Sequence, residues 1–360
     1  MITEVYMMRK ISALLILVAI ILPILCGCVT ENAPEGPKEQ YKTYSFAYFD
    51  TVSTIIGCES SKDEFAETSS EALALLGEYH RLFDIYNEYP DMNNLCTVNK
   101  LVDGEHQVVK VDRRIIDMLL MAKEMHGLTG GKMNIAMGSV LSIWHDYRTE
   151  GLNQPALAKL PPMDLLTEAA GHTDINDIII DEVNCTVYLA DPKMTLDVGA
   201  FAKGYAVEMV ARALEEMGKT NYVLNIGGNI RTIGPKADGS KWKTGIENPT
   251  GDEGYIEYIE LETEAIVTSG SYQRYYVVAG KEYHHIIDKD TLMPAEGLLS
   301  VSIICSNSGL GDGLSTALFC MSIEDGMALI ESLPDVEAMW VDENEIKHYS
   351  SGFADYCYQN

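Results

Sequence analysis

Basic side chains are scarce in this 360-residue sequence, in which 26 Lys and Arg stand against 54 Asp and Glu and the formal net charge is −28. A protein that binds nucleic acid needs clustered Lys and Arg to neutralise phosphates, so no nucleic-acid partner is expected. A polyphosphate substrate would need a local positive element, most simply a metal ion.

Long apolar runs and metal-binding cysteine patterns are missing as well. The apolar run Ile11–Leu25 is shorter than the roughly 20 residues of a transmembrane helix. The sequence therefore does not have the pattern of a polytopic membrane protein. The 8 cysteines include no Cys-x-x-Cys pair and no Cys/His spacing typical of a metal site, and their positions indicate no disulfide pairing. With 47% apolar and 22% charged residues, the composition is that of a folded globular protein.

The N-terminus has the pattern of an export signal. Two basic residues precede the apolar run Ile11–Leu25, and the run ends in Leu25-Cys26-Gly27-Cys28, which resembles the bacterial lipobox. An uncleaved membrane anchor is the alternative. We predict a lipidated Cys28 on the extracytoplasmic face of the cell membrane, with a lipoprotein signal peptide at 1–27, a flexible tether at 28–43 and a catalytic domain at 44–360.

Hydrophobic periodicity predicts helices and strands in irregular order. The order favours an α+β fold, a single mixed α/β catalytic unit, over a doubly wound sheet. The predicted helices are 64–83, 113–128, 135–147, 201–217, 314–321 and 325–332; the predicted strands are 44–57, 178–180, 186–189, 222–226 and a pair within 338–349.

Two segments place small residues at a predicted turn. In Asp197–Tyr205 a strand that ends in Asp leads into a helix, whose first amides could meet phosphate while Lys203 adds charge; a capped helix with a solvated Lys is the alternative. Asn225–Asn229 has no third glycine and no following helix, so it predicts a tight turn rather than a dinucleotide cradle.

A glycine-rich segment and a histidine pair could supply chemistry. In Gly309–Thr316 we predict that Asp312 lies in a turn before a helix that hydroxyl residues begin, which offers Mg²⁺ the oxygen ligands it prefers; an ordinary helix cap is the alternative. Tyr283–Asp288 predicts a short strand, on which His284 and His285 point to opposite faces. A histidine near its unperturbed pKa could act as a general base at neutral pH.

Taken in order, these segments resemble the ApbE family of FAD:protein FMN transferases from about Phe46 to Phe319. The segments are 197–207, 225–229, 267–272, 283–288 and 311–319. The chain departs from the family pattern at Phe49-Asp50-Thr51, where Met-Gly-Thr is usual, and at Met133-Asn134, where Phe-Asp is frequent. These departures bear on the shape of the flavin pocket.

The resemblance implies an ApbE-type fold and an extracytoplasmic enzyme. Such an enzyme splits FAD at its pyrophosphate, transfers FMN to a Thr or Ser hydroxyl of an acceptor protein, and releases AMP with the help of Mg²⁺. The acceptor would be a subunit of a membrane redox complex or an FMN-binding domain.

The resemblance also assigns residues by position. His285 is the candidate base, with His284 as the substitute should the strand present its other face. The implied metal ligands are Ala200, Asp312, Ser315 and Thr316, with Asp312 also counted as catalytic, and the implied FAD-binding residues are Phe49, Tyr86, Lys132, Met133, Asn134, Asp197, Lys203 and Ile286.

Two alternatives stay open at this point. A Mg²⁺-dependent FAD pyrophosphatase would use the same site with water in place of the acceptor hydroxyl. A non-catalytic flavin-binding surface lipoprotein would need the pocket but not Asp312, Thr316 and His285.

Overall fold

An eight-stranded antiparallel sheet forms the centre of the protein, as seen in a computed structural model that describes residues 37–359. Strands are numbered along the chain, and their order in the sheet is β1-β2-β8-β9-β12-β15-β16-β17. These strands are β1 (Glu39–Ser45), β2 (Ser53–Glu59), β8 (Tyr222–Ile226), β9 (Asn229–Ile233), β12 (Ala265–Gly270), β15 (Leu298–Cys305), β16 (Glu337–Asp342) and β17 (Lys347–Tyr349).

Smaller sheets surround this one. Three are two-stranded hairpins, β3–β4, β10–β11 and β13–β14, and the fourth has the order β5-β7-β6. Their strands are β3 (Leu101–Val102), β4 (Glu105–His106), β5 (Val109–Lys110), β6 (Ile178–Asp181), β7 (Thr186–Leu189), β10 (Trp242–Glu247), β11 (Tyr255–Leu261), β13 (Tyr275–Val278) and β14 (Lys281–His284). The predicted hairpin at 178–189 is confirmed as β6–β7.

Eight α-helices lie in the described part of the chain. They are α1 (Lys62–Phe83), α2 (Leu95–Asn99), α3 (Arg113–Leu128), α4 (Gly138–Asn153), α5 (Met163–Ala170), α6 (Ala202–Glu216), α7 (Ser308–Phe319) and α8 (Ile323–Glu331). Within residues 37–359, none of these helices has the length and hydropathy required to cross a bilayer. The expected α+β class is confirmed, and α3 has the predicted bounds.

Alternation along the central strands builds a core on each face of the main sheet. On β15, Ile303 and Cys305 belong to the larger core, whereas Ile304 belongs to a second core on the opposite face. Helices α1, α6 and α7 pack on the sheet within the larger core, and the β10–β11 hairpin contributes to the second. Both faces of the sheet are therefore covered.

The N-terminal strand differs from the prediction. Glu39–Ser45 pairs residue for residue with Ser53–Glu59, so β1 begins inside the segment predicted as tether, and the single strand predicted at 44–57 is two strands. The Tyr41 ring stacks on Phe65 of α1 at 5.7 Å, which explains why this end of the predicted tether joins the sheet. Residues 46–52 leave the ladder between the two strands, and part of this loop reaches the cavity described below.

Helix α4 begins three residues later than the prediction of 135–147 and extends to Asn153. Asn134 forms a turn before it, because its Oδ1 accepts a hydrogen bond from the Ala136 amide at 2.9 Å and its Nδ2 donates to the Thr173 carbonyl at 2.9 Å. These two bonds hold residues 134–136 out of the helix.

Candidate active site

A cavity of about 710 Å³ collects most of the residues that the sequence singled out. This volume lies within the range of small-molecule sites. It is lined by Phe49, Tyr86, Lys132, Met133, Asn134, Asp197, Ala200, Lys203, His285, Ile286, Asp312 and Thr316, all of them predicted site residues. His284 lines it as well, and Ser315 does not.

Ser315 is fully buried beside the cavity rather than exposed to it. Its hydroxyl lies 2.8 Å from the Ser269 hydroxyl and donates to the Asp312 carbonyl oxygen at 2.9 Å. The Ser315 side chain is therefore occupied within the protein, whereas the neighbouring Thr316 reaches the cavity.

The close contact between α6 and α7 places a carboxylate beside an ammonium group. Asp312 Oδ2 accepts a hydrogen bond from the Gly204 amide at 2.7 Å, and Asp312 Oδ1 lies 3.6 Å from Lys203 Nζ. A Cβ at Gly204 would lie 2.4 Å from both Asp312 Cβ and the Ser308 carbonyl oxygen, so only glycine permits this approach. Lys203 Nζ also contacts Oδ1 of Asn229. We call Lys203, Gly204, Asn229 and Asp312 the α6–α7 corner.

The corner corrects two predictions. Asp312 does not lie in a turn before a helix, because α7 begins at Ser308, six residues before the predicted start, and Asn307 caps it through the amides of Gly309 and Leu310. Helix α7 is buried almost throughout, which requires glycine for close packing and gives its sequence the appearance of a turn. Of the first amides of α6, which could have met phosphate, that of Gly204 donates to Asp312 instead.

Asp197 lies just before this corner, half-buried and on the cavity wall. Its Oδ1 accepts a hydrogen bond from the Gly199 amide at 2.8 Å, which fixes the turn that leads into α6. Burial raises the pKa of the Asp197 carboxyl, and the Gly199 hydrogen bond opposes that change only in part. Burial also lowers the pKa of Lys203, although Asp312 lies close to it.

The glycine turn between β8 and β9 forms another part of the wall. Gly227 and Gly228 have φ angles of 55° and 88°, and Asn225 Oδ1 accepts a hydrogen bond from the Gly228 amide at 3.2 Å. Two consecutive residues with positive φ make a tight hairpin turn, as the sequence predicted.

The expected flavin-side residues differ in how firmly they are held. Lys132 Nζ lies 2.9 Å from Asp288 Oδ1 and 2.9 Å from Asp290 Oδ2, so its charge is balanced within the protein. Phe49 adopts φ of 55°, and its amide donates to Nδ1 of His80 at 3.3 Å. Tyr86 is 65% exposed and leaves a ring face available for stacking.

The two adjacent histidines have different environments. His284 ends β14, and both of its ring nitrogens are engaged, Nε2 with the Ala295 carbonyl oxygen at 2.8 Å and Nδ1 with the Ile286 amide at 3.2 Å. His285 follows the strand rather than belonging to it, which corrects the predicted strand across both residues. Its Nδ1 is buried and has no hydrogen-bond partner among residues 37–359.

Burial and nearby positive charge determine the protonation of His285. Desolvation, followed by the charges of Arg274 and Arg148, lowers the pKa of His285 to about 3, so the condition of an unperturbed histidine is not met. The ring is neutral at physiological pH, so one of its two nitrogens carries a lone pair that can accept a proton.

Sequence reasoning missed two arginines that line the cavity, Arg148 on α4 and Arg274 immediately before β13. Arg274 lies two residues after the family-like segment 267–272. Because basic residues are scarce in this chain, an arginine so close to that segment could have been recognised as a candidate site residue. We call Arg148, Arg274 and His285 the β13–β14 rim.

Metal-binding capacity rests on oxygen atoms alone. Among residues 37–359 no group of three or more His, Cys, Asp or Glu side chains could hold an ion. The Ala200 carbonyl, the Asp312 carboxylate and the Thr316 hydroxyl belong to residues that line the same cavity, and these are the hard donors that Mg²⁺ takes. The donor chemistry fits Mg²⁺ and does not fit a metal that prefers sulfur or imidazole.

Oxygen donors, a neutral half-buried histidine and two arginines without ion pairs line one cavity, a set of groups suited to binding phosphates and accepting a proton. Comparison with known proteins agrees with this chemistry. The ApbE family model matches residues 49–340, and the chain therefore belongs to the ApbE family.

Individual relatives support this membership. The chain is 31% identical over 274 residues to a FAD:protein FMN transferase of Klebsiella pneumoniae, a match that covers 73% of this chain and 82% of the relative. It is 27% identical to a FAD:protein FMN transferase of Haemophilus influenzae, over 90% of this chain and 91% of the relative. Like these relatives, the protein is an enzyme.

Solved structures share the fold. The crystal structure of the ApbE protein from Thermotoga maritima superposes with a TM-score of 0.77 at 28% identity, covering 89% of this chain and 100% of that one. The flavin transferase ApbE from Vibrio cholerae gives a TM-score of 0.73 at 25% identity, with the same coverage of 89% and 100%.

Proposed function

We propose that this protein transfers FMN from FAD to a Thr or Ser hydroxyl of an acceptor protein, in a Mg²⁺-dependent reaction that releases AMP. The observation that supports it most directly is one cavity that joins the oxygen donors of Ala200, Asp312 and Thr316 with a neutral His285. FAD as donor and a protein as acceptor agree with the names of the relatives.

The metal proposal concerns four residues. The Asp312 carboxylate, the Thr316 hydroxyl and the Ala200 carbonyl would hold Mg²⁺, with Ser315 contributing through its main chain because its hydroxyl is engaged. Bound Mg²⁺ would neutralise charge on the phosphates of FAD. Asp312 is the only carboxylate in this set, and its hydrogen bond from the Gly204 amide fixes its position before any ligand binds.

In the proposed reaction, an acceptor hydroxyl oxygen forms a bond to the phosphorus of the FMN half. The bond from that phosphorus to the bridging oxygen of the pyrophosphate breaks, and AMP leaves with the bridging oxygen. The hydroxyl proton passes to the His285 imidazole, which lines the cavity and is neutral. His285 thus acts as the general base, and His284 holds the end of β14 through its two hydrogen bonds.

The flavin half would bind on the side of the cavity that contains Phe49, Tyr86 and Ile286. The exposed Tyr86 ring can stack on an isoalloxazine system, and the buried Ile286 gives an apolar contact. Lys132, Met133 and Asn134 complete that wall, with Lys132 held in place by Asp288 and Asp290. Asp197 and Lys203 would contact FAD near the α6–α7 corner.

Incubation with FAD and Mg²⁺, with and without an acceptor that exposes a threonine, tests the proposal. A transferase gives AMP and a flavin-labelled acceptor, detected by mass spectrometry, and gives little AMP without the acceptor. Free FMN formed equally with and without acceptor would indicate a pyrophosphatase. Binding of FAD without any AMP would indicate a non-catalytic flavin carrier.

We also propose that the mature protein is anchored to the membrane through Cys28, which lies outside the described residues, and faces an extracytoplasmic acceptor. The support is the basic pair and apolar run before the lipobox-like segment. Mass spectrometry of the natural N-terminus should find a lipidated Cys28, and Cys28→Ser should abolish that modification. Cys26→Ser is the matched control and should leave it intact; an unprocessed Met1 in the membrane fraction would contradict the proposal.

A further inference from the structure

The two arginines of the β13–β14 rim form no ion pair within the described residues. Arg148 is half-buried on α4, and Arg274 is exposed at the start of β13. Within residues 37–359, neither guanidinium makes an ion pair or hydrogen bond with another side chain or with the main chain. Unbalanced positive charge is unusual in a chain that has twice as many acidic as basic residues.

The lysines of the same cavity show the contrast. Lys132 lies between Asp288 and Asp290, and Lys203 lies beside Asp312. The protein thus pairs both ammonium groups of this cavity with carboxylates, whereas within residues 37–359 the Arg148 guanidinium has only the more distant charge of Asp197 and neither guanidinium forms an ion pair. A half-buried Arg148 facing a second arginine is unfavourable unless an anion binds there.

The two arginines also lie within electrostatic range of the proposed reacting groups. Both charges lower the pKa of His285, and the charge of Arg274 also lowers the pKa of Lys203 at the α6–α7 corner. The pKa of Arg148 itself is lowered, first by burial and then by Arg274. Arg274, His285 and Asp312 line the same cavity, which places the Arg274 charge beside the proposed reacting groups.

We propose that Arg148 and Arg274 bind the phosphate groups of the dinucleotide and that Arg274 stabilises the transferred phosphoryl group; this inference rests on the proposed function. A planar guanidinium matches phosphate oxygens through paired hydrogen bonds, which an ammonium group does not. Transfer of a phosphoryl group depends mainly on positioning and charge neutralisation. The phosphates are the charged part of FAD, so they are the anions that such a pair would meet.

Binding of FAD and of riboflavin, which has no phosphate, separates this role from general effects on the pocket. In EDTA, Arg148→Gln and Arg274→Gln should each weaken FAD binding about tenfold to a hundredfold, the range for a lost charge-assisted contact. Riboflavin affinity should stay unchanged in both. Arg148→Lys and Arg274→Lys should recover part of the FAD affinity because they keep the charge.

Arg113→Gln is the matched control. It removes the same charge from an exposed side chain of α3 that pairs with Asp117 and Glu182 and does not line the cavity. FAD and riboflavin affinities should both equal those of the wild type. Thermal unfolding of each variant identifies any that fail to fold. Should a Gln variant fail to fold, the FAD affinity of the corresponding Lys variant tests whether the positive charge binds phosphate.

The outcomes separate this inference from the proposed function. A variant that carries both Arg148→Gln and Arg274→Gln gives the decisive comparison. If the wild type binds FAD tightly and this double variant binds it equally well, the proposal that the two arginines bind phosphate is overturned. If the variant instead has a raised KM for the acceptor protein and an unchanged affinity for FAD, the arginines bind a carboxylate of the acceptor. A wild type that neither binds FAD nor releases AMP would overturn the proposed function, and this inference with it.

Discussion

The α6–α7 corner and the β13–β14 rim face the same cavity with opposite electrostatic designs. At the corner, Lys203, Asn229 Oδ1 and Asp312 contact one another or a nearby amide, so the charged groups are already positioned by the fold, and only Asn229 Nδ2 is left without a partner among the described residues. At the rim, the two arginines and His285 Nδ1 have no partner among the described residues.

This difference indicates which interactions the fold completes and which the substrates complete. A preorganised carboxylate suits a metal site, since its orientation costs nothing at the moment of binding. Cations without ion pairs and a neutral imidazole suit groups that arrive and leave during each turnover, here the phosphates and the acceptor hydroxyl. We test this difference between the corner and the rim with four predictions, in order of decreasing expected effect.

The largest effect is expected at the rim, for His285→Ala. Transfer to the acceptor should fall by about two to four orders of magnitude, the usual range for a lost general base, while FAD affinity stays close to that of the wild type. Single-turnover labelling of the acceptor and FAD titration measure the two quantities.

His284→Ala is the matched control for this change. It removes the hydrogen bonds to Ala295 and Ile286, so it should lower the melting temperature and leave the rate per folded enzyme largely intact. Full transfer by His285→Ala, or complete loss in His284→Ala alone, would exchange the roles of the two histidines.

At the corner, Asp312→Ala should reduce AMP release on the order of a hundredfold or more. It removes the only carboxylate of the proposed metal set and the acceptor of the Gly204 hydrogen bond. Asp312→Asn separates these effects, because it keeps an oxygen for the amide but loses the charge. Turnover measured against Mg²⁺ concentration should show that both variants need far more metal; near-normal turnover by Asp312→Ala at low Mg²⁺ would place the metal elsewhere.

The geometry of the corner should also be sensitive to one added methyl group. Gly204→Ala places a Cβ 2.4 Å from Asp312 Cβ, so the helices must separate, at a cost of about 1–3 kcal/mol in the free energy of unfolding. Gly127→Ala, inside α3 with no heavy atom within 4 Å of the new Cβ, should instead be neutral or stabilising. Urea denaturation measures both, and equal stabilities would show that α6 and α7 are not closely fixed.

The smallest effect concerns pH. Because the pKa of His285 is lowered to about 3, the free base is the form present at every pH above it, and protonation can abolish proton acceptance only near or below that value. The transfer rate should therefore be flat between about pH 5 and pH 8 as far as this group is concerned. A rate that rises tenfold through pH 6.5 would show that the rim does not hold His285 neutral.

How much the sequence could predict differs between the corner and the rim. Regular periodicity predicted α3 and α6 to within one residue, because an amphipathic stripe depends only on local sequence. The start of α7 was missed because its glycines serve close packing: a Cβ at Gly311 would lie 3.1 Å from Val267 and 3.2 Å from Cys305. Such contacts join residues far apart in the chain and leave no local pattern.

The rim was harder to predict for a different reason. The role proposed for Arg148 and Arg274 depends on their forming no ion pair with any described residue, which the tertiary structure determines and a sequence does not display. The lowered pKa of His285 likewise depends on burial and on those two charges. Resemblance to a family located His285 but could not indicate its protonation.

Dependence of AMP release on the acceptor hydroxyl tests the central claim most directly. One acceptor would be prepared with threonine, serine or alanine at the labelled position, and AMP and covalently bound flavin would be quantified in the same reactions. If FMN is transferred to the acceptor hydroxyl, we expect equal molar amounts of AMP and bound flavin with threonine or serine, and neither product above background with alanine. AMP release that continues unchanged with the alanine acceptor, accompanied by free FMN, would contradict it.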